Sequence, residues 1–319
     1  MTVPKLVVSA ALIFLTLAAC CLAVAARITT RQSALEAEFP PQGQVLMVNG
    51  KRVHAIVQGV GPDLVLIHGA SGNALDLIAA LGPDLAQSHR VIAFDRPGLG
   101  YSDPLADQSL KAQALHLAEA ARQLQVQAPL VVGQSYGGSV ALAWALDAQP
   151  RPRGLVLISA PSMPWPGKLD LSYRAADTWA GRALLLPLAA ALLPQSYITA
   201  AVKTVFAPDT PPPAYAKTIS AALILRLPSL RANMAQVNAL RAQLVAMQPR
   251  YAQLSLPMEM LHGTADTIVP IAVHSIPFAQ QLASAHLQVI DGAGHMPHYS
   301  HRGEVLAAIA RAEARAALH

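Results

Sequence analysis

A single serine stands between two glycines in the segment VVGQSYGGSV, residues 131–140. The strand-like run PLVV precedes it and an Ala- and Leu-containing helical stretch follows, which predicts a sharp strand-to-helix turn at Ser135. Such a turn forces the serine into an unfavourable backbone conformation, and side chains at Gly133 or Gly137 would collide with neighbouring backbone. The hydroxyl is then held outward at the carboxyl edge of a sheet, beside the free N–H groups of a helix N-terminus. The pattern predicts that Ser135 is a nucleophile, the alternative being a glycine-rich turn with an idle serine.

A serine hydroxyl is a poor nucleophile near neutral pH and needs a base. The segment DGAGHMPH places His295 in a glycine-containing loop directly after the strand-like run LQVI. A loop there can bring the imidazole across the sheet edge to Ser135, where it would accept the hydroxyl proton and return it to the leaving group. The alternative is an exposed loop histidine. His298 and His301 follow closely and are predicted to lie on the surface, and without a carboxylate or thiol at useful spacing they do not indicate a metal site.

The imidazole in turn needs a carboxylate to orient it. Asp266, in LHGTADTIVP, lies just past the end of another predicted strand. Its carboxylate could bind the second imidazole nitrogen, fix the tautomer and stabilise the imidazolium. Asp291 competes for this role, but it ends its own strand and is predicted to shape the turn. No acidic residue closely follows the strand GLVLISAP, so Asp266 is the predicted partner.

An oxyanion hole completes this chemistry. The segment LIHGASGN ends the first long central strand, and its loop can aim the N–H of Ala70 at the same point as the N–H of Tyr136, which follows the nucleophile. Because these donors are backbone groups, side-chain identity matters little there. His68 in the same segment is predicted to be a structural hydrogen-bonding residue.

The elements that must position these residues alternate from residue 44 onward. The runs QVLMVNG and RVHAIVQG flank Asn49-Gly50, a strong two-residue hairpin signal. Continuous apolar runs follow, separated by segments of helical period: DLVLIHG, RVIAFDRPG, PLVVGQS and GLVLISAP. Strands that are apolar on both faces belong to a parallel sheet covered by helices, so the predicted fold class is α/β.

The alternation stops at Pro161 and resumes near Pro257 with PMEMLHG, then HLQVIDGAG and the closing helix RGEVLAAIARAEARAAL. Residues 161–256 instead contain Ala- and Leu-rich helical segments broken by LLPLAAALLP and FAPDTPPPAY. We interpret them as a helical insertion over one end of the sheet. The core is then predicted to comprise residues 44–160 and 257–319.

The order Ser135, Asp266, His295, together with HGASG and FDRPGLGYSD before the serine, resembles the α/β-hydrolase superfamily over about residues 44–315. The resemblance implies an eight-stranded, mostly parallel sheet, a helical cap at residues 161–256 and a Ser-His-Asp triad. The segment FDRPGLGYSD is similar to the branch of epoxide hydrolases, haloalkane dehalogenases, cofactor-free haloperoxidases, carbon–carbon bond hydrolases and small-ester esterases. The first two carry aspartate where this chain has Ser135, and the HGGG loop of many lipases is absent.

The resemblance implies acyl transfer to water through a covalent serine intermediate, without cofactor or metal. The simplest substrate is a small or medium apolar carboxylic ester, with the Leu- and Ala-rich cap lining an acyl pocket. Alternatives are hydrolysis of a carbon–carbon bond or an N-terminal prolyl peptide by the same triad, or a non-catalytic binding module on this fold. A further hypothesis is that the cap segment ALLLPLAAALL contacts a lipid surface near the N-terminal segment.

The N-terminal segment contains 21 uncharged residues, 6–26, between Lys5 and Arg27, which suits a single transmembrane helix. Residues 1–30 are predicted to be an uncleaved anchor and residues 31–43 a polar, Pro-containing tether. Because a short basic N-terminus normally stays inside, the catalytic domain is predicted on the periplasmic or outer side. Two alternatives are a signal-peptidase site at AVAA before Arg27, giving a secreted protein, and a bacterial lipoprotein signal at LAAC ending at Cys20.

Composition bounds the remaining possibilities. The chain has 319 residues, 53% of them hydrophobic, which allows one large core plus an insertion. Its only cysteines are Cys20 and Cys21, so the rest of the chain can form no internal disulfide. The net charge of +5 is dispersed along the chain with few aromatic residues, which argues against a nucleic-acid interface. The oligomeric state is not indicated.

Overall fold

The computed structural model describes residues 5–318 and contains an eight-stranded sheet in the order β1-β2-β4-β3-β5-β6-β7-β8. The strands are β1 (Gln44–Val48), β2 (Lys51–Gln58), β3 (Asp63–Ile67), β4 (Arg90–Phe94), β5 (Leu130–Gln134), β6 (Gly154–Ile158), β7 (Met258–Gly263) and β8 (Ala285–Ile290). Strand β2 pairs antiparallel with β1 and β4, and every other pairing is parallel. The predicted fold class is confirmed. Residues 1–4 of the predicted anchor and residue 319 of the predicted core lie outside the described residues.

The opening hairpin turns at the predicted dipeptide. Val48 pairs with Lys51, so the loop has two residues, Asn49 and Gly50. Both have positive φ, +48° and +73°, as a type I′ hairpin turn requires. The local sequence therefore sets the register of the first two strands.

Helices cover both faces of the sheet. In chain order the α-helices are α1 (Lys5–Glu38), α2 (Ala74–Leu85), α3 (Leu110–Gln123), α4 (Tyr136–Asp147), α5 (Leu171–Asp177), α6 (Leu186–Leu192), α7 (Gln195–Phe206), α8 (Tyr215–Thr218), α9 (Leu227–Met247), α10 (Ser275–Gln281), α11 (Pro297–Ser300) and α12 (Arg302–Ala316). One apolar core lies between the sheet and α3, α4 and α10, and the other between the sheet and α2 and α12. Strands β5 and β6 are buried along their whole length, which explains their continuous apolar sequences.

The insertion between β6 and β7, residues 159–257, contains helices and connecting loops and, within the described residues, no strand; we call it the cap. It contains α5 to α9, with a π-helical turn, Gly181–Leu185, leading into α6. Its hydrogen bonds to loops at the carboxyl end of the sheet include two that show where it lies. Asn233 Oδ1 accepts from Ser71 N–H at 2.7 Å, and Asp209 Oδ2 accepts from Gly294 N–H at 3.2 Å. The cap therefore lies over the edge at which β3 and β8 end.

Helix α1 differs from the polar tether predicted at residues 31–43, because it continues unbroken for 34 residues to Glu38. Its last turns pack on the cap: Leu35 is buried there, and the Glu36 carboxylate lies 3.0 Å from the Arg226 guanidinium. These contacts stabilise a helix where sequence alone suggested a flexible link. Between residues 5 and 318, α1 is the one unbroken helix long and apolar enough to cross a membrane, a property shared by membrane anchors and signal sequences.

Candidate active site

Ser135 occupies a strained turn between β5 and α4. Its φ of +50° and ψ of −125° are unfavourable for a residue with a side chain, and its N–H donates to Ile158 O at 2.8 Å. A Cβ atom at Gly133 would lie 2.5 Å from Gly137 O, and one at Gly137 would lie 2.1 Å from Ile67 O. Only glycine fits at both positions, because backbone from neighbouring elements occupies the space that a side chain would need.

The structure brings Ser135, His295 and Asp266 together in a buried, hydrogen-bonded row. Ser135 Oγ lies 2.9 Å from His295 Nε2, and His295 Nδ1 lies 2.7 Å from Asp266 Oδ2. The three residues follow β5, β8 and β7, whose carboxyl ends meet at one edge of the sheet. An imidazole held between a carboxylate and a hydroxyl can accept the hydroxyl proton while the carboxylate stabilises the resulting cation.

Asp266 is held in its ionised form. Its Oδ1 accepts from the N–H groups of Ile268 at 2.9 Å and Val269 at 2.8 Å, and its Oδ2 is also 3.1 Å from His262 Nε2. Burial opposes ionisation, but the hydrogen bonds from His262 and His295 outweigh it and hold the pKa of Asp266 well below its usual range. The carboxylate is therefore charged at any pH at which the neighbouring imidazole could act.

The competing carboxylate lies elsewhere. Asp291 is exposed, and its Oδ1 accepts from Thr264 Oγ1 at 3.1 Å. It joins the loops that follow β7 and β8, as predicted for a residue that shapes its turn.

The predicted oxyanion donors lie next to the serine. A Cβ atom at Gly69 would lie 3.1 Å from Ser135 Cβ, so the loop that carries Ala70 lies directly against the nucleophile turn. Tyr136 is the first residue of α4. Within the described chain, the N–H groups of Ala70 and Tyr136 donate to no protein acceptor, which leaves both free for a substrate oxygen.

Arg96 organises this loop, a role that the sequence analysis missed. Its Nε donates to His68 O at 2.9 Å and its Nη2 to Gly69 O at 3.0 Å, while the guanidinium stacks 4.3 Å from the centroid of the Tyr136 ring. The Gly69 oxygen and the Ala70 N–H belong to one trans peptide and point in opposite directions. By binding the oxygen, Arg96 therefore fixes the direction of the Ala70 N–H. The sequence feature that could have indicated this role is a basic residue shortly after a buried strand, in FDRPGLGYSD.

Arg96 remains charged although it is fully buried. Burial lowers its pKa to about 10, and the side-chain oxygens of Gln113 and Gln236 accept from its Nη1 at 2.9 and 2.6 Å. His68 completes the support: its Nε2 accepts from Arg96 N–H at 2.9 Å, and burial, then the Arg96 charge, lowers its pKa to about 4. A neutral His68 is thus a structural part of the loop.

The role of His262 was not predicted from the sequence, and the surface position predicted for His298 is wrong. His262 lies in β7, four residues before Asp266; its Nδ1 is 2.7 Å from Ser275 Oγ, and its Nε2 is 2.6 Å from Val269 O and 3.1 Å from Asp266 Oδ2. His298 was predicted at the surface but is fully buried, 3.5 Å from Asp76 Oδ2. It is covered because α11 packs against α2, a contact between distant segments.

The cap lines a cavity of about 460 Å³ that is separate from the row formed by Ser135, His295 and Asp266. Its walls come from the loop 104–108 and from α5, α6 and α9, and neither Ser135 nor His295 lines it. Ala232 faces the cavity, whereas the next residue, Asn233, bonds to the loop beside Ala70. Different faces of α9 therefore meet the cavity and the candidate site. Residues 5–318 contain no cluster of three or more potential metal ligands.

Comparisons with known proteins agree with this fold. A family model described as the alpha/beta hydrolase fold matches residues 62–302. An uncharacterized protein of Mycobacterium tuberculosis is 30% identical over 282 residues, covering 82% of this chain and 77% of that protein. A 2-hydroxymuconate semialdehyde hydrolase of Pseudomonas sp. is 28% identical over 271 residues, covering 82% of this chain and 90% of that protein. The crystallised esterase of Exiguobacterium antarcticum superposes with a TM-score of 0.67 at 18% identity, covering 85% of this chain and all of the other.

Proposed function

Because the chain belongs to the alpha/beta hydrolase fold family, we propose that it is a serine hydrolase with Ser135 as nucleophile, His295 as general base and Asp266 as the group that orients the imidazole. The observation that carries the proposal is the hydrogen-bonded row of these three residues. Ser135 Oγ lies 2.9 Å from His295 Nε2, and Asp266 Oδ2 lies 2.7 Å from Nδ1 of the same ring. A buried row of this kind, beside two free N–H groups, has the geometry that acyl transfer requires.

The reaction proceeds in two halves. His295 Nε2 takes the Ser135 proton while Oγ attacks the carbonyl carbon, and the N–H groups of Ala70 and Tyr136 stabilise the oxyanion. The imidazolium then gives that proton to the leaving oxygen, the carbon–oxygen bond breaks and an acyl-enzyme remains. Water, deprotonated by His295, attacks the acyl carbon, and the proton returns to Ser135 Oγ as the acid leaves.

Carboxylic-ester hydrolysis is the preferred activity, on a small or medium apolar acyl group. Support comes from the fold shared with a crystallised esterase and from the apolar side chains that the cap contributes over the sheet edge. No metal or cofactor takes part in the proposed steps.

A second candidate is carbon–carbon bond hydrolysis with the same three residues. The specific observation in its favour is the likeness to a 2-hydroxymuconate semialdehyde hydrolase over 271 residues. A rate panel separates the two activities: p-nitrophenyl esters of increasing acyl length against a vinylogous 1,5-diketone of the type formed by ring cleavage. A kcat/KM for the diketone above that for every ester would favour the second candidate.

We further propose that α1 is an uncleaved membrane anchor, with the hydrolase domain on the periplasmic or outer side. Residues 6–26 contain no charge, and the apolar side chains from Val7 to Leu22 are exposed rather than packed against the domain. The following turns of the same helix pack on the cap. Cleavage before Arg27 would therefore remove the N-terminal part of the helix that makes these contacts.

Labelling with a tagged fluorophosphonate tests the serine assignment, because the probe reacts with an activated serine and not with an idle one. We expect wild type to be labelled and Ser135→Ala to be unlabelled. Ser159→Ala is the matched control: Ser159 directly follows the adjacent strand β6 with φ +48°, is buried, and within residues 5–318 its hydroxyl has no hydrogen-bond partner. Labelling of Ser135→Ala would refute the assignment of Ser135 as the nucleophile, and no labelling of either wild type or Ser135→Ala would favour a binding module.

A further inference from the structure

Exposed large apolar side chains are concentrated on one part of the cap. Trp179 is 82% exposed, and Leu184, Leu185, Leu188 and Leu192 are 42–68% exposed. We call these five residues the cap ridge. They lie just before the π-helical turn, within it and along α6, all within residues 179–192. A cluster of this size on the surface marks a contact with another phase or another molecule.

The chain around the ridge has the composition of a membrane segment. Residues 183–202 are 20 consecutive residues without a charged or histidine side chain, between Arg182 and Lys203. Helices α6 and α7, with the turn before them, are together apolar enough to cross a membrane, but they bend by 101°. Ile198 and Phe206 of α7 are buried in the cap. The segment is therefore fixed to the domain with its leucines exposed, as an interfacial element rather than a spanning one.

Helix α1 contacts α6, which carries part of the ridge, close to the point where the apolar run of α1 ends. Ile28 packs beside Leu186 and Ala190 of α6, and the Arg31 guanidinium donates to Ala190 O at 3.0 Å and to Leu193 O. Ile28 is two residues beyond the uncharged run 6–26, or about 3 Å along a helix that rises 1.5 Å per residue. If α1 spans the hydrocarbon layer, α6 must lie at its boundary, among the lipid headgroups.

The charge of the cap complements anionic headgroups. Residues 161–256 contain nine Lys and Arg against three Asp, of which Arg226 and Arg250 are paired with Glu36 and Asp147 outside this range. Basic side chains beside an amphipathic surface strengthen its attraction to anionic lipid. Exposed Trp179 and Tyr197 are also the residue types that collect at membrane interfaces.

We propose that the cap ridge is a second membrane contact, inserted among the lipid headgroups beside α1. The inference rests on the proposed anchor. It adds a second contact, the cap ridge, which orients the domain relative to the membrane. The chain leads from the ridge through α7 to Asp209, which binds Gly294 N–H next to His295. A hydrolase domain held at the lipid surface in this way favours an amphiphilic ester that resides in the bilayer as the substrate class.

Fluorescence of the full chain in vesicles tests the contact directly. The protein is reconstituted in phosphatidylethanolamine–phosphatidylglycerol vesicles, with and without phosphatidylcholine brominated near the headgroup, and the Trp179 signal is obtained by subtracting the emission of Trp179→Phe. We expect the brominated lipid to quench at least half of the Trp179 emission and iodide in the buffer to quench little. Iodide quenching without bromolipid quenching would overturn the proposal, and shielding from both would overturn it in favour of a second copy or another protein. Flotation with the vesicles separates failure of the anchor from failure of the ridge.

A pair of charge substitutions tests the functional consequence. Leu188→Glu places a charge on the ridge, and Leu115→Glu places one on α3, at nearly equal exposure of 42% and 43%. We expect Leu188→Glu to lower turnover of a long-chain ester embedded in vesicles about tenfold while leaving turnover of soluble p-nitrophenyl acetate unchanged. Leu115→Glu should change neither. Equal effects of both substitutions on the vesicle substrate would overturn the proposal. If no ester is hydrolysed, the proposed function fails, but the fluorescence result still decides the membrane contact.

Discussion

Two buried histidine–aspartate pairs in this molecule have the same local geometry and different surroundings. His295 Nδ1 lies 2.7 Å from Asp266 Oδ2, and His54 Nδ1 lies 2.7 Å from Asp95 Oδ2. The second nitrogen of His295 faces the Ser135 hydroxyl, whereas that of His54 lies 2.5 Å from the backbone oxygen of Gln42. The pair alone therefore does not make an active site. What matters is the third group that the imidazole faces.

The two pairs differ because of where their residues lie in the sheet. Asp266 and His295 belong to loops beyond the carboxyl ends of β7 and β8, at the edge of the sheet where Ser135 also lies. His54 lies within β2, and Asp95 also accepts from Ala74 N–H and Tyr101 N–H, each at 2.7 Å. This second pair thus joins a strand, the start of α2 and the loop after β4. We interpret it as structural.

The largest expected difference is in turnover after removal of each imidazole. His295→Ala should lower kcat by at least about 10⁴-fold with little change in Tm, because the serine loses its base and packing is retained. His54→Gln should lower kcat less than tenfold, measured well below its unfolding temperature. Steady-state rates on the best p-nitrophenyl ester and thermal unfolding check both. Comparable losses of kcat in the two variants would erase the distinction between the pairs.

Neutralising the carboxylates should separate the pairs again, by a smaller factor. Asp266→Asn should lower kcat by about 10³- to 10⁴-fold, because an amide neither stabilises the imidazolium nor enforces the tautomer. Asp95→Asn should leave kcat within about tenfold of wild type. Asp291→Asn is a third comparison, and its rate should match wild type. A large loss in Asp291→Asn instead would assign the orienting role to that residue.

For the free energy of unfolding, we expect the larger loss in the His54 variant and the smaller loss in the His295 variant. His54→Gln should reduce the free energy of unfolding by about 3 kcal/mol, because it leaves the buried Asp95 carboxylate without its charged partner. His295→Ala should reduce it by about 1 kcal/mol or less, since the Asp266 carboxylate keeps His262 and two N–H donors. Urea unfolding followed by circular dichroism measures both values. A smaller loss in His54→Gln than in His295→Ala contradicts the structural role given to His54.

The smallest expected effect is a pH dependence of the stability that His54 contributes. Burial opposes protonation of His54, but the hydrogen bond and charge of Asp95 outweigh it and raise the pKa of His54 above its ordinary value. The fold therefore favours the protonated form, and its contribution to stability is fully present below pH 6.5 and lost as the pH rises through the raised pKa. The unfolding free energies of wild type and His54→Gln should differ more at pH 6 than at pH 9. A difference independent of pH would show that His54 is neutral in the folded protein.

Much of the site was predictable because its signals are local. Gly133 and Gly137 mark the turn at Ser135, Asn49-Gly50 marks the hairpin, and the apolar runs mark strands that are covered on both faces. The fold class followed from these patterns and is confirmed. The role of Arg96 could not be predicted in the same way, because it acts on a loop that the chain order does not place beside it. His262 is only four residues from Asp266, but their contact depends on how the loop after β7 folds back.

By itself, then, the sequence determined the elements, their order and the few residues able to act as nucleophile, base and orienting carboxylate. Steric limits on glycine-rich turns and the periodicity of apolar residues act over a few positions, so they can be read along the chain. Only the tertiary structure decided that Asp266 rather than Asp291 faces His295, that His298 is buried, and that α1 extends through residues 31–38 onto the cap. Those outcomes depend on contacts between segments far apart in sequence, whose energies are set by which surfaces the sheet order brings together.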